Sequence, residues 1–432
     1  MAVGLTDISI REMYHPRAID ALIEETMKSF GGVLITGPKW CGKSWTGIRH
    51  SASQISIGTE SVRQKAMLMP ESVLDGEHPR LIDEWQDAPG LWDVARERID
   101  RSGRKNMYIF TGSSVPPLRA TSHTGTGRFA RIRMRPLSLY ESGDSSGIIS
   151  LRGLFDSEID TPVPSEIDFA KVTELICRGG WPSSVWDRDT DPFLVPREYL
   201  SAVANSDMAR AQIVRAHPDS VSRLIRSLAR NVSSPTSIAT IAEDISEAGG
   251  KISPATVSKY MDALRRIFVL EEQGAWRPSV RSKASIRSTP KRHLTDPSLA
   301  AAALEMDSDM LLDDPNTAGL LFESLCYRDL CVYADTFRGK VSYYRDENGL
   351  EVDAVIESGD GRWGAAEVKL GSFQFGRAAS NLLRLKKKIS ENTDRPGKKT
   401  GPSFLAILTA SGGAAYTRPD GISVIPIDLL GP

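Results

Sequence analysis

Three stretches in the first third of the chain hold residue types whose spacing suits phosphate chemistry. Gly37-Pro38-Lys39-Trp40-Cys41-Gly42-Lys43-Ser44 satisfies the pattern G-x-x-x-x-G-K-[ST]. In such a loop the glycines let backbone N–H groups face a polyphosphate, Lys43 reaches its β- and γ-oxygens, and the Ser44 hydroxyl is a ligand for Mg²⁺. Trp45, next along, counts with Gly37 to Ser44 as nucleotide-contacting. Further on, Leu81-Ile82-Asp83-Glu84 reads as an apolar strand ending in two carboxylates. Asp83 would hold the metal shell through water and Glu84 would polarise the attacking water. The third stretch, Tyr108-Ile109-Phe110-Thr111-Gly112-Ser113-Ser114, is a strand opening onto hydroxyls; Thr111 or Ser113 either senses a γ-phosphate or caps a helix. Arg128, after Gly125-Thr126-Gly127, is an arginine finger acting in cis or on a neighbouring subunit, or else a surface arginine. Arg131, Arg133 and Arg135 alternate and so share one face of any strand there, either exposed or turned to something anionic. Cys41 reads as a small neutral filler; the alternative is a thiol made more acidic by a helix start.

A second constellation lies near the C-terminus. Glu351-Val352-Asp353 and Glu367-Val368-Lys369 flank the turn signal Gly359-Asp360-Gly361. A hairpin centred on Asp360 sets Asp353 opposite Glu367, with Lys369 on the same face. Two carboxylates converging on Mg²⁺ or Mn²⁺ beside a lysine suit phosphodiester hydrolysis, and Glu323, in the helix before the sheet, would complete the set. The arrangement is similar to the PD-(D/E)XK nuclease motif, although no proline precedes Asp353. The competing reading is a charged, solvated hairpin face.

These residues need elements to position them. From Leu22 to Tyr140 short apolar runs alternate with helix-length polar stretches, as in a parallel α/β sheet, with strands at Gly32 to Ile35, Leu81 to Ile82 and Met107 to Phe110. Open sheets of this kind bind ligands at the strands' carboxyl ends, where the motifs lie. Pro136 to Pro164 reads as a connector, followed by a helix near Asp168 to Arg178. Helices are expected at Val221 to Arg230, at Ile238 to Glu247, and after the Ser253-Pro254 cap through Phe268, with a β wing over Gly274 to His293. Between Gln273 and Thr295 stand Arg277, Arg281, Lys283, Arg287, Lys291 and Arg292 with no acid, a stretch that suits a wing meeting phosphates or a solvated loop. Beyond Gly319 come a helix through Leu330 and strands at Val341 to Arg345, Glu351 to Glu357, Trp363 to Leu370 and Phe404 to Thr409.

The whole-chain composition bounds these readings. The 432 residues suggest about three domains. With 54 basic and 55 acidic residues the chain is no polycation, so any nucleic-acid contact is local. Apolar runs such as Phe404 to Leu408 are far below the ~20 residues needed to span a bilayer. No signal peptide is expected, since Asp7 and Arg11 interrupt the opening. Cys41, Cys177, Cys326 and Cys331 are too sparse for a disulfide framework, which points to a reduced, cytoplasmic compartment.

Taken together, the Gly37 to Ser44 loop, Leu81 to Asp87, Phe110 to Ser114, Gly127-Arg128 and Arg135-Pro136-Leu137-Ser138-Leu139-Tyr140-Glu141 resemble the AAA-type prokaryotic ATPases that carry a DUF4143 C-terminal region. Gly179-Gly180-Trp181-Pro182 and Tyr199 to Asp207 resemble the start of their second region, so the similarity spans nearly the whole chain. The resemblance implies an α/β AAA-like ATPase core at 1–145, a helical connector or lid at 146–216, a winged-helix segment at 217–300 and an α+β restriction-endonuclease-like domain at 301–432. It implies ATP rather than GTP as ligand, consistent with the missing N-K-x-D guanine reader. The function expected is Mg²⁺-dependent ATP hydrolysis coupled to a DNA-binding or nuclease-like C-terminal half, in a chain for which a homo-oligomer is one expected state. The alternatives are an ATP-regulated, Mg²⁺-dependent DNA nuclease and a non-enzymatic nucleotide-gated or antitoxin-like binder.

Overall fold

A computed structural model of the chain describes residues 12–114, 124–187, 189–208, 217–249, 252–278, 288–391 and 401–432. Asp7, Arg11, Arg281, Lys283 and Arg287, singled out above, lie outside the described residues. The chain forms two units: residues up to Pro136 with Arg266–Val269, and Leu137–Arg265 with Leu270–Pro432.

The first unit is built on strands β1 (Gly32–Thr36), β2 (Ser53–Ser56), β3 (Arg80–Asp83), β4 (Tyr108–Gly112) and β5 (Phe129–Arg133). All are parallel, in the order β2-β3-β4-β1-β5. Successive side chains along a strand point to opposite faces, and both faces here are apolar. Val33, Ile35, Leu81, Ile109 and Ile132 enter one layer with Ile23 and Met27 of α1 (Asp20–Ser29) and Ile48 of α2 (Lys43–Arg49). Leu34, Ile82, Tyr108, Phe110 and Phe129 enter the other, with Ala66 of α3 (Glu60–Leu68) and Trp92, Ala95 and Ile99 of α4 (Gly90–Ser102). Trp92 stacks on Phe129 with ring centroids 4.1 Å apart and meets Phe110 edge-on at 5.5 Å, so aromatic packing adds to the area buried on that face.

In the second unit, β6 (Ile149–Ser150) and β7 (Val163–Pro164) lie in the stretch read as a connector. Next come helices α5 (Phe169–Arg178), α6 (Pro218–Arg230), α7 (Ile238–Glu247) and α8 (Pro254–Arg266). Asp168, Ser237 and Ser253 accept the N-terminal amide bonds of α5, α7 and α8 through their side chains, as N-cap residues do. Strands β8 (Leu270–Gln273) and β9 (Lys291–Leu294) pair antiparallel, Leu270 opposite Leu294 and Gln273 opposite Lys291. This ribbon begins before the expected wing, because Leu270 finds its place in the core at the end of α8. Then follow α9 (Pro315–Thr336), β10 (Lys340–Arg345), β11 (Glu351–Glu357), β12 (Trp363–Lys369), α10 (Phe375–Ser390), β13 (Leu405–Thr409), β14 (Ala414–Thr417), β15 (Ser423–Pro426) and β16 (Leu430–Gly431). A mixed sheet runs β10-β11-β12-β13-β15-β14-β7, and β16 pairs with β6. Phe375, Ala378, Leu382 and Leu385 of α10 close one face of this sheet over Val352, Trp363, Ile407 and Val424.

A buried ionic network orders the start of this unit. Arg328 donates to Asp296 (2.8 Å) and Asp329 (2.7 Å), all three being essentially excluded from solvent. Asp329 also accepts the amide of Leu139 (3.0 Å), and Asp296 accepts that of Gly180 (3.0 Å). The amide of Leu137 donates to the carbonyl of Gly180 at 2.6 Å. At Gly180 a Cβ atom would stand 2.1 Å from that Leu137 oxygen, so glycine is required by the close approach of two backbones. The strings Pro136 to Glu141 and Gly179 to Pro182 are thus brought together on α9. Removing the cation would leave two buried carboxylates unpaired, at a cost of ~3–5 kcal/mol. Arg328→Met should therefore lower the thermal midpoint by more than about 5 °C or abolish soluble expression, whereas Arg101→Ala, on an exposed pair, should move it by less than about 1 °C in the same scan.

Candidate nucleotide site and the C-terminal carboxylate cluster

The phosphate loop joins β1 to α2. Gly37 leaves β1 where a Cβ would lie 2.1 Å from the carbonyl of Met134, and Gly42 takes φ 98° immediately before α2, a left-handed conformation suited to glycine. Pro38 and Cys41 are buried, Lys39 and Trp45 partly buried, and Trp40 is exposed with φ 62°. The Cys41 thiol is wholly buried, which fits the filler reading. The Lys43 ammonium donates to the carbonyl of Pro38 at 2.6 Å. Arg17 donates to the carbonyls of Cys41 (2.8 Å) and Arg135 (2.9 Å), staying 6% exposed, and so pins the middle of the loop from outside the motif.

The strand order brings the other motifs to this loop. β4 lies between β1 and β3, with Thr36 opposite Gly112 and Asp83 opposite Thr111. The Ser44 hydroxyl donates to Asp83 Oδ1 at 2.9 Å, and the Thr111 hydroxyl donates to the same oxygen. A serine hydroxyl beside a carboxylate is the hard-oxygen pair that Mg²⁺ accepts alongside phosphate oxygens and water, so these residues fit that ion. Glu84 follows at φ 56°, a left-handed conformation that is rare outside glycine and concentrates at functional sites. Its Oε2 accepts from Gln86 Nε2 and, at 3.4 Å, from the Ser113 hydroxyl. Gly112 makes room for this turn: a Cβ there would lie 2.7 Å from Gln86 Oε1 and 2.9 Å from Trp85 Nε1. Thr111 and Ser113 thus hold the two carboxylates of the adjacent strand end. Arg128 lies elsewhere, with Nε 2.5 Å from Asp100 and its side chain 46% exposed. Arg131 and Arg133 stand on either side of buried Ile132 on β5 and share the face that Phe129 takes, and Arg131 lies 6.0 Å from the Trp92 ring.

In the second unit Glu323 of α9, Asp353 of β11 and Glu367 and Lys369 of β12 do converge. The β11–β12 pairs run from Ala354 opposite Ala366 to Glu357 opposite Trp363, which is the register centred on Asp360. Where β10 pairs β11, the register shifts between Ser342 and Tyr344, opposite Asp353 and Ala354, an irregularity of the kind that re-aims a side chain. Lys369 lies 3.0 Å from Asp353 and 2.6 Å from Glu367. Lys291, read above as part of a wing meeting phosphates or of a solvated loop, is instead buried beside Glu323 (2.8 Å), Glu351 (2.8 Å) and Asp353 (3.5 Å). Arg292 is likewise turned inward, its Nε 3.5 Å from Glu272. Both side chains fall on a short strand packed on the core, where a charge is kept only by pairing.

Four carboxylates around two ammonium groups leave an excess of negative charge in a dry site. Burial, and then the charge of Asp353, push Glu323 up to about 8 and Glu367 up to about 7. Burial also acts to raise Asp353, but Lys369 and Lys291 outweigh it and hold that group down at about 2. Burial acts to lower both lysines, and their carboxylate neighbours overcome it and raise them. Among the described residues no group of three or more His, Cys, Asp and Glu side chains is placed to hold a metal ion.

Residues 29–143 match the family described as AAA domain, 170–310 match Domain of unknown function (DUF8612), and 318–430 match Domain of unknown function (DUF4143). No curated protein matches the chain. Solved structures similar to it include the Walker-type ATPase paby2304 of Pyrococcus abyssi, at 13% identity over 68% of this chain and 97% of that one with TM-score 0.41. The RuvB Holliday junction branch migration motor of Thermotoga maritima aligns at 15% identity over 68% of this chain and 98% of that one, TM-score 0.27. The ORC1 protein of Aeropyrum pernix, solved in complex with DNA, aligns at 13% over 72% and 97%, TM-score 0.24. Phosphate loop, parallel sheet and paired carboxylates define the first unit as an α/β P-loop domain of the AAA class. The matches at 29–143 and 318–430 are those of the AAA-type ATPases that carry a C-terminal DUF4143 region. Among the described residues no helix is long and apolar enough to cross a membrane.

Sequence inspection missed Arg17, Gln86, Gly112 and Lys291. Gln86 and Gly112 stand inside strings already singled out by resemblance, but Arg17 and Lys291 lie far along the chain from the groups they bind and left no local signal.

The raised carboxyls give a pH dependence with a definite sign. A carboxyl whose folded value is raised binds a proton that the unfolded chain has already released, so its stabilising contribution is present at low pH and lost as pH rises through the folded value. Buried His293, held down to about 3, titrates in the unfolded chain near its ordinary value and is silent above pH ~7. Between pH 7 and 9 the unfolding free energy should fall by about 1 kcal/mol in the parent and stay flatter in Glu323→Gln, measured by urea titration.

Proposed function

We propose that the chain binds ATP with Mg²⁺ and hydrolyses it. The observation that carries this reading is the pair Asp83 and Glu84 at the end of β3, one carboxylate bonded to Ser44 of the phosphate loop and the other held apart by Gln86 and Ser113. A loop and lysine alone would support binding; the second, separately oriented carboxylate supports turnover.

Each group then has a task. Backbone N–H groups of the Gly37 to Ser44 loop, Pro38 having none, and of the start of α2 bind the phosphates, and Lys43 exchanges its bond to the Pro38 carbonyl for a phosphoryl oxygen. Ser44 and Asp83 would hold Mg²⁺, which would supply neutralisation of phosphate charge. Glu84 accepts a proton from the attacking water, and its left-handed backbone with the Gln86 and Ser113 bonds keeps the carboxylate from collapsing onto Asp83. Thr111 fixes Asp83, so a hydroxyl on β4 serves as a positioning group. The pairing of Arg128 with Asp100 is exposed, and it supports a finger role only if that pair opens.

The alternative output, Mg²⁺-dependent DNA cleavage, would rest on Asp353, Glu367 and Lys369 with Glu323. Their convergence supports it, and the ion pair of Lys291 to the same carboxylates counts against it. ATP turnover in purified full-length chain decides the main reading. Lys43→Ala should weaken nucleotide binding at least about tenfold, and Glu84→Gln should keep binding while kcat falls roughly 100-fold or more. Parent-like turnover in both variants would refute the assignment.

A further inference from the structure

The C-terminal cluster has the carboxylates of a divalent-metal site and a different cation in it. Lys291 has a side chain only 2% exposed, with Nζ 2.8 Å from Glu323 Oε1, 2.8 Å from Glu351 Oε1 and 3.5 Å from Asp353 Oδ1. Both oxygens of Asp353 and both of Glu367 are already engaged. Asp353 Oδ2 accepts from the Val368 amide (2.9 Å) and from Lys369 (3.0 Å), while its Oδ1 faces Lys291. Glu367 Oε1 accepts from Asn381 (3.1 Å) and Oε2 faces Lys369 at 2.6 Å. Nor is Lys291 a surface side chain free to swing away. It sits in the β8–β9 ladder opposite Gln273, whose side-chain amide donates to the Asp353 carbonyl at 2.8 Å, and its ammonium stands 5.6 Å from the Tyr343 ring centroid.

We infer that Lys291 is the resident cation of this cluster: its ammonium takes the place of a divalent ion among Glu323, Asp353 and Glu351, so the site as folded accepts no divalent metal. An ammonium with three donors satisfies carboxylates of this kind without ordered water, and it brings one charge where Mg²⁺ would bring two. The sheet therefore gathers acids of the kind that hold metals around an ammonium supplied by a strand of the neighbouring ribbon. Metal-dependent cleavage at these residues would require Lys291 to leave, which its burial and three carboxylate partners oppose.

Terbium luminescence on the nucleotide-free full-length chain tests this, because a lanthanide in the place of the ammonium would lie close enough to Tyr343 to be sensitised by it. The parent should show no emission that depends on Asp353. Lys291→Met should gain a terbium site at least about tenfold tighter than any in the parent, competed by Mn²⁺ and lost on adding Asp353→Asn or Tyr343→Phe. Parent emission that disappears in Asp353→Asn would overturn the proposal, as would a folded Lys291→Met that gains no site. Should Lys291→Met not fold in metal-free buffer, Mn²⁺ must restore its cooperative melting while leaving the parent's midpoint unmoved; absence of rescue would equally overturn it.

Discussion

Arg328 is the group around which the larger unit is arranged. A guanidinium excluded from water is tolerable only if carboxylates meet it, and Asp296 and Asp329 do so from the start of a helix and from the next residue along α9. Their spare lone pairs then have to be satisfied, and the partners are backbone amides from Leu139 and Gly180. One buried charge therefore determines where two stretches far apart in sequence must run. Such a network is weak evidence for net stability, since apolar replacements of the same shape often do as well; here it fixes which segments meet.

The same rule governs both clusters of charge. At the nucleotide site Asp83 is partly open and has hydroxyl partners, leaving oxygen capacity for a metal. At the C-terminal cluster each carboxylate has an ammonium or amide partner, and proton uptake by Glu323 and Glu367 relieves what remains. Similar inventories of acids thus have different chemical prospects, and the difference lies in which lone pairs are already used.

The parallel core was legible because strands buried on both faces read as short apolar runs, and Val33, Leu34 and Ile35 do divide between two layers as such runs require. The loop and the Asp83-Glu84 pair were legible because a phosphate site needs particular residues in consecutive order. The hairpin register was found by counting from Asp360, since period two leaves few choices. What was not legible was non-local. Strands as short as Ile149–Ser150 and Val163–Pro164 have no periodicity to detect, and their pairing partners lie near the other end of the chain. Lys291 looked like one basic residue among six because nothing in its neighbourhood announces three acids that reach it only in the fold.

Gly112 has no functional group, yet the atoms nearest its missing Cβ belong to Trp85 and Gln86, the residues that follow Glu84. Clearance at this point shapes the turn that carries Glu84 as surely as its hydrogen bonds do. If Glu84 activates water as proposed, a screen scored only on turnover would class a substitution at 112 with lesions of Glu84, although glycine has no side chain to offer a ligand. On that reading a kinetic map of this chain would trace the empty spaces that the Glu84 turn needs as well as the groups that the proposal puts to work.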